Sequence, residues 1–181
     1  MNDRFLFEST KISGVFKFKL NPLKDFRGSL TRIFCSSEFS QIEDFSVRQI
    51  NIVSNPKKGT VRGLHFQKWP GAEGKIIFCL TGKVFDFCID IRKSSKTFGR
   101  YEELYLKPGV GLFLPPGIAH GYQTQTDKVD MIYLHSADYV SEYDAGINWK
   151  NSLIEVQWPL KISNMSKKDT LLPKDNFYEV P

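Results

Sequence analysis

Short runs of β-branched and aromatic residues, separated by Gly, Pro and Asn, dominate this sequence and limit the folds open to it. Runs of this length and composition are typical of β-strands, and the residues between them are typical of turns. The strands predicted in this way are residues 15–20, 30–34, 47–53, 60–67, 75–80, 83–91, 100–106, 110–114 and 129–135. About ten strands at such short intervals predict an all-β protein, either a β-sandwich or a jelly roll.

Helical signals are few, and the chain shows no repeat or linker. Residues 36–42 predict one short helix capped by Ser36 or Ser37, and residues 166–172 predict another. Thr81-Gly82 separates two of the predicted strands and predicts a tight hairpin between them. The 15 phenylalanines suggest a barrel interior filled by large side chains. A chain of 181 residues has the length of one domain, so we expect a single domain over residues 1–181.

Composition narrows the possible partners and the location. We expect no membrane partner, because no apolar run is long enough to span a bilayer. The first eight residues are charged and lack the apolar stretch of a signal peptide, and the odd number of cysteines predicts reduced thiols; both favour the cytoplasm. The net charge of +5 comes from scattered basic residues, which argues against nucleic acid and suits a small anionic ligand such as a diphosphate.

Two segments combine histidine with glycine in a way that suggests chemistry. Residues 109–124 (GVGLFLPPGIAHGYQT) match the second sequence motif of the cupin jelly rolls, with His120 at its histidine position. Residues 59–82 match the first cupin motif only in part. His65 is kept, whereas Gln67 and Lys75 stand where the motif has a second histidine and a glutamate.

The Lys75 replacement decides what kind of site the pocket forms. A cupin metal site needs three or four neutral or anionic ligands, and an ammonium group beside a divalent cation is strongly repelled. We therefore predict no metal. The set His65, His120 and Lys75 suits acid–base chemistry and an anionic intermediate instead.

An ordered series of further motifs carries a family resemblance. In order, the motifs are DFRG (25–28), QIN (49–51), RGLHFQ (62–67), KIIFCLTGKVFDFCIDIR (75–92), SKTFG (95–99), PPGIAHGY (115–122), YLHSADY (133–139), GINW (146–149) and SKKD (166–169). With these motifs the chain resembles the dTDP-4-dehydrorhamnose 3,5-epimerases. The resemblance implies a metal-free, cofactor-independent cupin jelly roll with a few short helices, which forms a homodimer and acts on a nucleoside-diphosphate 4-keto-6-deoxy sugar.

The resemblance also implies a role for individual residues. His65 is similar to the catalytic base, Asp169 to the aspartate that pairs with it, Lys75 to the lysine near the enolate oxygen, and Tyr133 to the proposed acid on the opposite face of the sugar. The substrate-contacting positions that match are Gln49, Asn51, Arg62, His120 and Tyr139. Arg27 matches an arginine that reaches the neighbouring subunit's site.

These residue types fit the reaction. A ketone at C4 makes the protons at both C3 and C5 acidic, and removal of either leaves an enolate. A neutral histidine accepts such a proton, and a carboxylate on its other nitrogen fixes the tautomer. An ammonium near O4 stabilises the enolate, and a tyrosine across the ring returns a proton from the other face.

Several positions depart from the family pattern. Arg32 stands where the family has an acidic residue that accepts the N3–H of thymine; because arginine only donates, cytosine becomes a rival base and CDP a rival nucleotide. Glu73 stands where Gln is common. His135 follows Tyr133 by two positions and could share its face, but the family pattern gives it no role, so we leave it outside the predicted site.

The sequence also fits other functions. A 3-only or 5-only epimerase, or a ketoisomerase, acting on a related and even CDP-linked sugar needs the same pocket. A non-enzymatic sugar-nucleotide-binding cupin would not need the His65–Asp169 pair, and a metal-dependent cupin oxygenase would not tolerate Lys75. The individual residues also have purely structural alternatives: His120 as an interior hydrogen-bonding group, Lys75 as a solvent-exposed side chain, Tyr133 as a core residue and Asp169 as part of a helix start.

Overall fold

The structure, a computed structural model, describes residues 4–40, 42, 45–152 and 154–174. Thirteen strands and two short helices are present in this part of the chain. The elements are β1 (Phe5–Ser9), β2 (Phe16–Leu20), β3 (Leu23–Asp25), β4 (Gly28–Leu30), α1 (Ser36–Phe39), β5 (Gln49–Asn55), β6 (Val61–Gln67), β7 (Lys75–Thr81), β8 (Val84–Asp90), β9 (Tyr101–Leu106), β10 (Val110–Leu114), β11 (Ile118–Thr124), β12 (Val129–His135), β13 (Asp144–Gly146) and α2 (Lys167–Thr170).

Two antiparallel sheets form a jelly-roll sandwich, as the sequence predicts. One sheet has the order β1-β2-β10-β7-β12-β5 and the other the order β13-β6-β11-β8-β9, while β3 and β4 form a separate two-stranded arm. The cluster between the sheets takes Ile77 and Cys79 from β7, and Val84 and Cys88 from β8. Because side chains alternate along a strand, odd-numbered residues of β7 and even-numbered residues of β8 face this interior.

The phenylalanines lie elsewhere than the sequence suggests. The aromatic members of the interior cluster are Tyr122 and Tyr133. Phenylalanines instead build a second cluster on the outer face of the six-stranded sheet, beneath α1; it contains Phe5, Phe18, Phe39, Phe45, Phe78 and Phe113. The prediction of a phenylalanine-filled interior is wrong, because alternation sends Phe78 and Phe113 to the opposite face from Ile77 and Leu112.

The predicted hairpin around Thr81-Gly82 is also wrong. β7 pairs with β10 and β12, whereas β8 pairs with β11 and β9, so the chain crosses from one sheet to the other at this turn. Both strands are buried over most of their length, as expected of strands covered on both faces with a neighbour on each side. Gly82, with φ +75°, provides the left-handed turn between them.

Smaller corrections concern the arm and the helix caps. Residues 31–34 are not part of a strand, because β4 ends at Leu30 and pairs only with β3. α1 is capped by the backbone of Cys35 without a side-chain bond, not by Ser36 or Ser37. Ser166 is the N-cap of α2, and its hydroxyl accepts from the backbone N–H of Asp169. β1, β3, β11 and β13 are absent from the predicted set of strands.

A close approach of β6 and β11 brings the two histidine segments together. Gly63 has φ +116°, and a Cβ at this position would lie 2.6 Å from the Cα of Gly121. The absence of side chains lets the two strands meet here, and the register then places His65 opposite His120. Among the described residues, no helix is long and apolar enough to cross a membrane.

Candidate active site

A pocket of about 250 Å³ opens into the sandwich interior between the two sheets. Leu64 and Phe66 belong to the cluster on the outer face of β6, so alternation turns His65 inward. The same rule directs the odd-numbered residues of β7 and β12 into the interior. Of the predicted site residues, the pocket is lined by Asn51, Arg62, His65, Lys75, His120, Tyr133 and Tyr139, and Asp169 lines the adjoining cavity.

His65 and Asp169 form a hydrogen-bonded pair. The Nε2 atom of His65 lies 2.8 Å from Oδ1 of Asp169, and the other oxygen, Oδ2, accepts from the backbone N–H of Gly63 at 3.2 Å. A carboxylate only accepts, so Nε2 carries the proton and the lone pair of Nδ1 is left for proton transfer. The carboxylate therefore selects the tautomer that a base needs.

The environment keeps Asp169 ionised. Burial alone would raise the pKa of its carboxyl, but hydrogen bonds from His65 and Gly63 and the interaction with Ser166 hold that pKa below its ordinary value. Its place at the start of α2 is fixed by the Ser166 cap. Asp169 therefore serves both the helix start and the pair with His65, two roles that the sequence presented as alternatives.

Lys75 projects into the pocket rather than into solvent. Its ammonium is 3.2 Å from Glu73, and both side chains are less than a tenth exposed. On β12, His135 is the register partner of Lys75. The pocket thus contains a buried cation held in a defined place, as a donor to a developing enolate requires.

His120 and Asp86 form a buried pair whose pKa values are shifted in opposite directions. Nδ1 of His120 is 3.4 Å from Oδ2 of Asp86, and both side chains are enclosed. Burial lowers the pKa of His120 well below its usual value, assisted by the positive charge of Lys75. Burial also raises the pKa of Asp86 well above its usual value, against the influence of Lys75. The neutral forms of His120 and Asp86 are therefore favoured, in a pocket that also holds the ionised Asp169 carboxylate and the Lys75 ammonium.

Tyr133 occupies the wall next to these groups. Its ring centroid is 5.8 Å from that of His120 and 6.0 Å from that of His135, on which it stacks. Burial, together with Tyr122 and Asp86, raises the pKa of the Tyr133 phenol well above its usual value. The phenol is thus held protonated until a stronger base, such as an enolate carbon, meets it.

Arg62 is fixed at the pocket mouth by Asn55. Its Nε donates to Oδ1 of Asn55 at 2.8 Å, and the Tyr122 hydroxyl donates to the same oxygen at 3.3 Å. The amide of Asn55 in turn donates to the backbone oxygen of Val129. The guanidinium therefore presents its remaining donors in a defined direction, which suits an oxyanion.

Arg27 and Arg32 lie outside the pocket. Arg27 is at the turn of the β3–β4 arm and pairs with Asp25 at 2.6 Å. Arg32 pairs with Glu38 of α1 at 2.8 Å. Gln49 does not line the pocket but donates to Asn51, which does.

The pocket also contains residues that the sequence interpretation left out: Glu73, Tyr122, His135, Asp144 and Lys168. Period-two spacing from Tyr133 points to His135, but the family pattern gives this position no role. Lys168 contacts Asp144, which also accepts from the Tyr139 hydroxyl at 3.0 Å. Nothing in the spacing of these three residues announces the contact, because it joins α2, β13 and a loop.

The residues at the cupin metal positions do not fit a metal. Gln67 uses its amide nitrogen on the backbone oxygens of Gly71 and Asp138, and its oxygen on the N–H of Val140. Lys75 fills the glutamate position with a cation. Within the described residues, no three His, Cys, Asp or Glu side chains converge as a metal site would require.

Comparison with known proteins agrees with this geometry. The family model for dTDP-4-dehydrorhamnose 3,5-epimerase matches residues 9–176. The dTDP-4-dehydrorhamnose 3,5-epimerase of Sinorhizobium fredii is 34% identical over 175 residues, which are 94% of this chain and 90% of the relative.

Solved structures give the same result. The crystal structure of dTDP-4-dehydrorhamnose 3,5-epimerase from Bacillus anthracis with TDP and PPi bound has a TM-score of 0.89 and 28% identity, and covers 93% of this chain and 98% of its own. That of dTDP-6-deoxy-D-glucose-3,5-epimerase from Legionella pneumophila in complex with dTDP-4-keto-L-rhamnose has a TM-score of 0.85 and 27% identity, and covers 92% and 90%. Together with the two-sheet fold and the His65–Asp169 pair, these matches show that the chain belongs to the dTDP-4-dehydrorhamnose 3,5-epimerase family.

Proposed function

We propose that this protein epimerises C3 and C5 of a dTDP-linked 4-keto-6-deoxyhexose. The observation that carries the proposal is the His65–Asp169 hydrogen bond, which exposes a basic nitrogen in the same pocket as Lys75 and Tyr133. The Legionella relative, crystallised with dTDP-4-keto-L-rhamnose, supports the substrate class.

The reaction proceeds in two half-steps at each carbon. Nδ1 of His65 removes the proton at C3 or C5, and the C–H electron pair moves into the enolate while the charge collects on O4. The Lys75 ammonium donates a hydrogen bond to O4 and stabilises that charge. Tyr133 then gives its phenolic proton to the same carbon from the opposite face, which inverts the centre. Solvent exchange returns a proton to the tyrosinate and removes one from the imidazolium, so the enzyme is restored.

The remaining predicted residues bind the nucleotide sugar in this proposal. Arg62 offers donors to the diphosphate, while Asn51, His120 and Tyr139 line the rest of the pocket. The TDP bound to the Bacillus relative favours thymidine as the nucleoside. The CDP alternative depends on Arg32, whose guanidinium is already engaged by Glu38.

A homodimer is part of the proposal. β5 is an edge strand of its sheet, and it exposes 59% of Ile50 and 67% of Ile52. The arm also exposes apolar side chains, with Phe26 98% exposed. An unpaired edge strand that carries apolar residues is a natural site for a second copy of the chain, and Arg27 on the arm would then reach the partner's pocket.

Light scattering after size exclusion tests the dimer. We expect a mass of about twice 20.8 kDa, and the double substitution Ile50→Asp/Ile52→Asp should shift it towards the monomer because it places two charges on the contact face. A monomeric wild-type protein at micromolar concentration contradicts the dimer but leaves the reaction untouched.

The three free cysteines fit a reducing compartment, so we place the protein in the cytoplasm.

Proton exchange followed by NMR tests the reaction. The protein is incubated in deuterated water with a dTDP-4-keto-6-deoxyhexose, and in parallel with the CDP-linked sugar. Deuterium at both C3 and C5 of the dTDP sugar is expected. Exchange at one carbon identifies a single-site epimerase, preference for the CDP sugar reverses the nucleotide assignment, and lack of exchange with either contradicts an enzymatic function.

Replacing Tyr133 by phenylalanine should separate exchange from inversion. The variant keeps His65 and Lys75, so the enolate still forms and takes deuterium back from the histidine face. Without the phenol, inversion is expected to fall about 10²-fold or more, while exchange with retention persists. Chiral analysis of the deuterated sugar measures both rates, and equal loss of the two would show that Tyr133 does not deliver the second proton.

A further inference from the structure

A line of hydrogen bonds with a fixed direction runs along one wall of the pocket. It starts at the backbone N–H of Tyr139, which only donates, and which lies 3.0 Å from Oε1 of Gln49. Gln49 must therefore use its amide nitrogen on Asn51, whose Oδ1 is 3.1 Å away. The oxygen of Asn51 is thereby occupied, so its amide nitrogen faces Nε2 of His135 at 3.3 Å.

This direction fixes the state of His135. Because the Asn51 amide donates, Nε2 of His135 must accept, and the ring is the neutral tautomer with its proton on Nδ1. Nδ1 lies 2.8 Å from Oε2 of Glu73, and so donates to it. The other oxygen of Glu73 receives the ammonium of Lys75 at 3.2 Å. Every donor in the line thus meets an acceptor.

Glu73 is the anion that this wall provides for Lys75. Burial favours the neutral carboxylic acid, but the hydrogen bond from His135 and the charge of Lys75 outweigh it and hold the pKa of Glu73 below its ordinary value. The pKa of Asp86, the other carboxyl near Lys75, is instead raised because this group is fully enclosed. An ammonium with only 8% of its side chain exposed needs a paired anion, and Glu73 supplies it.

We propose that Glu73 and His135 are positioning residues for Lys75, an inference that rests on the proposed function of this pocket. Glu73 accepts a hydrogen bond from one of the three ammonium N–H groups of Lys75, which leaves the other two free to donate to O4 as it becomes an enolate oxygen. His135 holds Glu73, and Asn51 and Gln49 hold His135. Glu73 also offsets part of the lysine's charge, so its benefit to the reaction lies in the placement of the donor.

Nitrogen NMR tests the line without reference to activity. The chain has three histidines, so ¹⁵N-histidine labelling gives a simple long-range ¹H–¹⁵N spectrum, and His135→Phe assigns the signals by deletion. We expect His135 to be neutral with the proton on Nδ1, and His65 to carry it on Nε2. Glu73→Gln should disturb the His135 signal and spare that of His65. A His135 ring with its proton on Nε2, or one unaffected by Glu73→Gln, would overturn the proposal.

Kinetics test whether the line matters to the reaction. Glu73→Ala is expected to lower kcat for deuterium exchange by about tenfold to a hundredfold, with KM changed less than about threefold, because a misplaced donor affects the transition state more than binding. Glu73→Gln keeps an acceptor for Lys75 and should recover part of the loss. His135→Phe, which keeps the stacking on Tyr133, should lose about threefold to tenfold and serves if Glu73→Ala does not fold.

Asp130→Asn is the matched control, because Asp130 lies on the same strand as His135 but bonds Ser54 and Thr81 at its far end. Its kcat should equal that of the wild type. Unchanged kcat in both Glu73 variants would refute the positioning role. If the wild type itself shows no exchange, the proposed function fails, while the His135 tautomer still decides whether the line exists.

Discussion

Replacement of His65 by asparagine is expected to remove most exchange at both C3 and C5, with a loss of about 10⁴-fold, the upper end of what a general base contributes. In the described part of the pocket, His65 is the only side chain that combines a nitrogen without a hydrogen-bond partner, Nδ1, with a carboxylate on its other nitrogen that keeps Nδ1 unprotonated. Asparagine retains a polar side chain beside Asp169 but has no basic nitrogen. NMR in deuterated water, with the wild type at matched concentration, measures the loss.

Nucleotide binding provides the control for this variant. Calorimetry with dTDP should give a Kd within about threefold of the wild-type value, because Arg62 and the other donors at the mouth remain in place. Residual exchange within tenfold of the wild type would assign the base to another residue. A loss of dTDP binding would instead show that His65 acts in the architecture of the pocket.

The second large effect is expected for Asp169→Asn, because the surroundings force the new amide into one orientation. The backbone N–H of Gly63 requires the amide oxygen, which leaves the amide nitrogen facing Nε2 of His65. Nε2 of His65 must then accept, so the proton moves to Nδ1. The atom that faces the pocket becomes a hydrogen-bond donor and can no longer act as a base. The analogous substitution in a serine-protease triad costs about 10⁴-fold, and we expect a loss of about 10³–10⁴-fold here.

The same ¹⁵N-histidine spectrum that reports His135 reports this change directly. In Asp169→Asn the proton of His65 should appear on Nδ1, while His135 keeps its own tautomer. Asp169→Ala is the informative comparison, since it removes the carboxylate without imposing the wrong tautomer and should retain more activity than the asparagine variant. Equal activities of the two variants would show that Asp169 does not act through the tautomer.

The sequence predicts the pocket residues within the two histidine motifs better than the residues that reach the pocket from other segments. His65, His120 and Lys75 lie at fixed spacings within two motifs, and strand alternation turned all three to one interior. Asp169 could not be found in this way, because its contact with His65 spans 104 positions and its neighbours also make a good helix start. It was identified through the family resemblance alone.

The errors in the fold have a related cause. Thr81-Gly82 has the local chemistry of a hairpin turn, but local chemistry does not say which sheet the next strand joins. That choice depends on the partners of β7 and β8, which are distant in sequence. The line from Tyr139 to Lys75 cannot be predicted from sequence for the same reason, since it joins β5, β7 and β12 through side chains whose directions only the folded backbone defines.

The pairing of His65 with Asp169 also affects how activity arises during folding. The hydrogen bond closes a loop of 104 residues, and Asp169 follows the thirteen strands that the described residues form. Closing so long a loop is entropically costly and is favoured only after the intervening strands have packed. A refolding molecule can therefore regain its sheets before it has a correctly oriented base, and the return of epimerase turnover marks the completion of the fold.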